Sequence, residues 1–312
     1  MIKINKIDSY KDYGSCIEIA NETISAIVSV EIGPRIVFFG FKNSQNFMND
    51  NRKALGGRAA DCEYADLFGS NRKWENLGGH RIWLSPESYP ETYTPDDKPC
   101  TVSLTESGAV FTYAKDTEIG VQKELELKMH PQKNEMQILM RVKNISSDKK
   151  RFSVWGISVC TQNGTLIIPM NTNDTGLLPN RQLTLWPYTD ISAENFGFGK
   201  KYLTVKQIPD GKPYKAKIGL DLNCGKVYYC LNGEIFCKQY SANHPNGVYT
   251  DGGCSFESYV CNEMIELETL SELKTVVTGE ILEHSEIWSL NKTDFIADYT
   301  NQDDIDILIK DI

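Results

Sequence analysis

The sequence predicts an all-β protein of antiparallel strands. Three observations carry that prediction. Aromatic residues and glycine are abundant, with 15 Tyr, 12 Phe, 5 Trp and 23 Gly. Short β-branched or alternating runs recur from about residue 23 to residue 290, separated by turn residues. Helical periodicity is nearly absent, and only the C-terminal stretch, about 303–312, offers it, with Ile305, Leu308, Ile309 and Ile312 on one side.

Each run has its own signal. Thr23–Val30 is β-branched and apolar, Gly33-Pro34 marks a turn, and Arg35–Phe41 is a second run. Thr101–Thr105 and Ala109–Ala114 flank Glu106-Ser107-Gly108, a hairpin pattern. Val121, Leu125, Leu127 and Met129 fall on one face of a strand, with Lys123 the exception. Met136, Ile138, Met140 and Val142 repeat the pattern. Phe152, Val154 and Gly156 alternate, and Ile157 and Val159 then suggest a change of face. Asn232-Gly233 between two apolar runs is the pair that a type I′ hairpin requires, because both turn residues need positive φ. Ser255–Cys261 and Met264–Leu270 form a tight pair around Asn262, and Leu282–Leu290 adds a further strand. No linker or repeat divides the chain. A single domain over 1–312 is expected, although a length prior of about 150 residues per domain suggests two.

Residues 43–100 break the pattern. They are rich in Asn, Arg, Gly, Asp and Pro and read as a long loop holding Trp74, His80, Trp83 and Tyr89. An ordered loop on a binding face and a surface insertion with aromatic plugs both fit.

Composition removes several function classes. The 40% hydrophobic and 24% charged content is that of a folded chain. The net charge of −9 argues against nucleic acid and anionic membranes as partners. No apolar run approaches the roughly 20 residues of a membrane span. The N-terminus, MIKINKIDSYKDYGS, carries charges where a signal peptide is apolar, so a cytoplasmic location is expected. Nine cysteines without a C-x-x-C spacing read as reduced thiols. His130, His244 and His284 have no partners at metal-ligand spacing, and neither metal nor cofactor is expected.

Three stretches could carry chemistry. In GGHRIWLSPE (78–87) a strand would put His80 and Ile82 on one face and Arg81 and Trp83 on the other, with Glu87 after the proline. Arg81 and Trp83 would then offer a hydrogen-bonding fork beside an aromatic plate; a buried core histidine and a core tryptophan fit equally. In MIELETL (264–270), Glu266 and Glu268 share a strand face between apolar neighbours, where one could serve as a general base. The plainer reading is a solvent-facing strand. In KIGLDL (217–222), Lys217, Gly219 and Asp221 alternate with apolar residues, and a solvated face is again simplest.

Together these residues resemble the galactose mutarotase-like, or aldose 1-epimerase-like, superfamily, in an uncharacterised bacterial branch. EIGPRIVFFGF (31–41) is similar to its early strand pair, NLGGHRIW (76–83) to its sugar-lining segment, and IELETL with VVTGEILEHSEIWSL (265–270 and 276–290) to its final strands. The resemblance implies one antiparallel β-supersandwich with a sugar site on a sheet face. It implies Glu268 as general base, His80 and Arg81 in the substrate-lining segment, and Arg35 near it. Trp83, Glu87, Glu266, Lys217 and Asp221 complete the expected set. The implied activity is interconversion of sugar anomers by a Glu base and a His acid, on a small sugar or oligosaccharide, in a monomer or homodimer. The family's mid-chain histidine is missing from RFSVWGISVCTQNG (151–164). Either His80 supplies the acid, or the reaction differs, or catalysis is absent. A non-catalytic sugar-binding module and a glycan lyase or hydrolase are the alternatives.

Overall fold

The computed structural model describes residues 1–210, 213–222, 224–241 and 247–312; His244 lies outside them. Among the described residues there are 23 strands and four short helical segments. An 11-stranded sheet runs in the order Lys3–Ile7, Cys16–Ala20, Ile24–Ser29, Arg35–Phe41, Gly79–Ser85, Lys150–Cys160, Ile265–Leu270, Phe256–Cys261, Lys215–Leu220 and Leu183–Leu185, with Lys274–Val276 beside Lys150–Cys160. A 10-stranded sheet lies against it. At its centre are Glu234–Tyr240, Ile281–Lys292, Glu135–Asn144 and Val121–Met129. The ladders are antiparallel. This is a two-layer β-sandwich.

Alternation builds the core. Leu125 faces Met140, Leu127 faces Ile138 and Met129 faces Met136 across one ladder, and all six are buried. One apolar cluster joins the facing sides of both sheets. Phe39 of the first sheet meets Trp288 of the second edge-on at 5.1 Å and Phe236 at 5.4 Å. Burying each such side chain contributes about 1.5–3 kcal/mol. The Asn232-Gly233 turn has φ of 46° and 75°, as a type I′ hairpin needs. Lys123, the exception to its strand's pattern, is buried, donates to Thr94 Oγ1 at 3.0 Å and lies 3.8 Å from Asp96.

The segment 43–100 is less of a loop than its composition predicts. It holds the helices Arg52–Leu55 and Cys62–Phe68, a two-stranded ribbon of Gly57–Arg58 and Trp74–Glu75, and the central strand Gly79–Ser85. That strand is buried on both faces, which erases the alternation that would reveal it. The C-terminal helix, Gln302–Ile309, is capped by Asn301, whose side chain accepts from Asp303 N. Ile305 and Leu308 pack on Ile167, Tyr228 and Ile235 of the second sheet's outer face. All nine cysteines are free thiols. Among the described residues no helix is long and apolar enough to cross a membrane.

Candidate functional site

Five neighbouring strands of the 11-stranded sheet build the floor of a cavity. Their register fixes which side chains meet. Trp155 sits opposite Trp83, and Ile157 lies between Arg81 and Glu268. Glu257 sits opposite Glu268, and Lys217 opposite Tyr259. Period-2 alternation then sends Arg81, Trp83, Trp155, Ile157, Glu266, Glu268 and Lys217 to the same side. All of them line a cavity of about 320 Å³. The 43–100 segment supplies a wall of Leu55, Gly57, Trp74, Asn76, Glu87 and Tyr93, and Tyr188, Tyr259 and Met264 close the other side.

Two ion pairs organise the floor. Arg81 Nη2 donates to Glu266 Oε1 at 3.1 Å. Lys217 Nζ lies 3.0 Å from Glu268 Oε2 and 2.8 Å from Glu257 Oε2, and both carboxylates are fully buried. Aromatic rings face the cations: Arg81 lies 4.4 Å from the Trp83 ring, and Lys217 lies 4.5 Å from Trp155 and 4.8 Å from Trp186. Burial pushes the Glu268 carboxyl above its usual range, aided by Glu266 and opposed by Lys217 and Arg81. Glu257 is pushed up to about 8, by burial first and by Glu268, against the pull of Lys217. Burial opposes the charge of Lys217, but its two carboxylates outweigh it and hold the ammonium protonated. Glu268 Oε1 and the Nε and Nη1 of Arg81 are buried without a hydrogen-bond partner.

Six of the nine expected residues therefore line one cavity: Glu268, Glu266, Arg81, Trp83, Glu87 and Lys217. Lys217, Glu266 and Glu268 are not on a solvated face, because the wall segment covers the sheet there and leaves them at most 7% exposed. Three residues lie elsewhere. His80 takes the opposite face of its strand, between the sheets. Its Nδ1 is 3.0 Å from Ser158 Oγ and its ring meets Trp288 edge-on at 5.0 Å. Burial, then the charges of Lys238, Arg35 and Arg81, hold it neutral, well below the usual histidine range. Arg35 is a buried clamp, donating to Gly78 O at 2.7 Å and to Asp96 Oδ2 at 3.0 Å. Asp221 follows the end of strand Lys215–Leu220 and lies outside the cavity lining.

Sequence reasoning missed Glu257 and the cavity role of Tyr188. Glu257 and Tyr259 alternate with Phe256, Ser258 and Val260, so strand period alone could have placed Glu257 on the face of Glu268's strand neighbour. It also missed a polar network behind the floor. Lys238 Nζ, fully buried, donates to Ser158 Oγ at 3.0 Å, Leu267 O at 2.9 Å and Gly156 O at 3.2 Å, and pairs with Glu286 at 3.2 Å. Glu286 also accepts from Trp288 Nε1 and Thr269, and Thr269 bonds His284.

No protein-family model matches the sequence. A comparison with curated proteins finds no significant similarity. Solved structures do match in shape. A galactose mutarotase-like protein from Lactobacillus casei superposes at a TM-score of 0.56 with 12% identity, over 88% of this chain and 100% of its own. A candidate aldose 1-epimerase from Escherichia coli K12 gives 0.53 and 10%, over 94% and 100%. The chain has the galactose mutarotase-like fold. A TPR-domain containing protein from Parabacteroides distasonis also superposes, at 0.60 and 12% identity over 91% of this chain, which spans only 48% of that protein. In this galactose mutarotase-like sandwich, the mid-chain strand Lys150–Cys160 shows the cavity Trp155 and Ile157 where the resemblance expects a histidine.

Proposed function

We propose that the chain is a carbohydrate-active protein and that its cavity takes a sugar ring, with Glu268 as general base for anomer exchange. The observation that carries this reading is the environment of Glu268: a buried carboxyl with one oxygen on Lys217 and the other unpartnered, on the floor of an aromatic-walled cavity. A base of this kind needs a proton affinity lifted toward neutrality, and burial supplies the lift. Trp83 and Trp155 offer apolar plates for the C–H face of a sugar, and the unpartnered N–H groups of Arg81 suit hydroxyl oxygens.

In the reaction, Glu268 takes the proton of the anomeric hydroxyl as the C1–ring oxygen bond breaks. The ring oxygen takes a proton, the aldehyde rotates, and closure reverses both transfers. His80, on the far side of the sheet, does not line the cavity, so the proton for the ring oxygen must come from the cavity side. Tyr93, Tyr188 and Tyr259 are neutral hydroxyls there, and burial raises all three, Tyr188 to about 12.

Among the described residues no histidine lines the cavity, which favours a second reading, sugar binding without turnover. One experiment separates the two. Anomer exchange is followed by polarimetry or NMR on a panel of aldoses for wild type and Glu268→Gln. The enzymatic reading expects exchange that falls at least about 100-fold in the variant. No exchange above the spontaneous rate for any sugar removes it, and saturable binding by calorimetry that survives Glu268→Gln then supports the binding module.

A further inference from the structure

The floor holds one more carboxylate than its nearest cation can balance. Glu257 and Glu268 stand directly opposite each other on adjacent strands. Lys217 reaches between them from the next strand, 2.8 Å from one and 3.0 Å from the other. Neither carboxylate has any solvent exposure, and among the described residues Lys217 is the only cation in ion-pair contact with either. Fully ionised, the three groups would leave an uncompensated negative charge in a buried site. Buried groups in that position take up a proton instead.

The surroundings decide which carboxyl takes it. Around Glu268 stand Lys217, Glu266 and Arg81, with Lys238 on the far side of the sheet. Around Glu257 stand Lys217, Glu268, Asp251 and the Cys254 thiol, and among the described residues Lys217 is the only cation in ion-pair contact with it. Glu257 also lies behind Lys217, outside the cavity lining, whereas Glu268 lines it.

We propose that Glu257 is a positioning residue that holds the one carboxyl proton of a neutral unit, leaving Lys217 as fixed cation and Glu268 as the carboxylate that faces the cavity. The inference rests on the reading of this cavity as the working site and of Glu268 as its base. Glu257 touches no substrate. It acts by keeping Lys217 from being shared between two negative charges, so that the ammonium orients Glu268 Oε2 and leaves Oε1 turned to the ligand.

The test reads protonation directly and needs no sugar. Protein labelled with ¹³C at the glutamate carboxyls is titrated by NMR from pH 5 to 10 as wild type, Glu257→Gln and Glu268→Gln. Wild type shows one carboxyl with a midpoint near 8, as burial at Glu257 requires. That titration is absent in Glu257→Gln. In Glu268→Gln it moves down by at least one pH unit, a tenfold loss of proton affinity, because Lys217 then serves Glu257 alone. A wild type in which every carboxyl ionises below pH 6 overturns the proposal, even if both variants fail to fold. So does a high-pH titration that survives in Glu257→Gln and vanishes in Glu268→Gln. If anomer exchange is found, wild type loses it above pH 8; a flat profile to pH 9 also overturns the proposal. A failure of exchange alone leaves the titration to stand by itself.

Discussion

Replacing Lys238 by Met tests whether the polar network behind the floor holds the two sheets in place. The Met side chain matches the length of the lysine stem but removes four interactions: hydrogen bonds to Ser158 Oγ, Leu267 O and Gly156 O, and the ion pair with Glu286. Removing one partner of a buried pair costs about 3–5 kcal/mol. Glu286 keeps its bonds from Trp288 Nε1 and Thr269, which places the cost at the low end. The two carbonyl bonds to a charged donor add about 1.5 kcal/mol each, and the buried methionine returns part of the sum. The expected net loss is about 3–5 kcal/mol. At about 2 °C per kcal/mol for a long chain, Tm falls by about 6–10 °C. Thermal and urea denaturation measure it. Lys238→Met with Glu286→Gln should recover at least about 1 kcal/mol over the single variant, since no unpaired charge remains. A loss below about 1 kcal/mol, or a double variant whose losses simply add, refutes the ion pair as the network's centre.

Three further outcomes are expected. Arg35→Met should cost about 3 kcal/mol in denaturation, because Asp96 loses its closest partner, while sugar affinity by calorimetry stays within about twofold. Gly79→Ala should cost at least about 2 kcal/mol and weaken sugar binding. Its φ of 62° disfavours a side chain, and a Cβ there would lie 2.4 Å from Ile36 O, so the turn into Arg81 must move. His284 is held neutral, its pKa lowered to about 3 by burial and by Lys238. The unfolded histidine gains its proton near pH 6.5 and the folded one does not, so the contribution of His284 is present above 6.5 and is lost as pH falls. The stability lead of wild type over His284→Gln should therefore shrink by about 1.4 kcal/mol per pH unit below 6.5. Denaturation at pH 7, 6 and 5 checks this.

Strand period made most of the sandwich readable. Arg35–Phe41 and Val121–Met129 are observed at the expected residues, and Asn232-Gly233 turns as its φ requirement dictates. The same period correctly divided His80 and Ile82 from Arg81 and Trp83. It could not say which side was the cavity, since both faces of that strand are buried and burial leaves no polar mark. The solvated-face reading of Lys217 and Glu266 failed for a related reason. A covering wall made of residues 52–93 is a tertiary event with no trace in the strand it covers. The burial of Glu257 and Lys238 was invisible, even where strand period could give the face, because a charged residue inside a sandwich looks, in sequence, like one outside it. Only their partners on neighbouring strands far along the chain, Lys217 and Glu286, distinguish them.

The floor and the wall have different freedoms. The ionisable groups Arg81, Lys217, Glu257, Glu266 and Glu268 stand on strands laddered on both sides, so their spacing is set by the sheet. Most of the wall is an excursion that leaves the sheet at Phe41 and rejoins it at Gly79, between two strands that are themselves neighbours. Lengthening such an excursion adds little closure entropy. Exchanging residues 52–76 would therefore recast much of the cavity wall, Glu87 and Tyr93 apart, while leaving the strands of the floor in place.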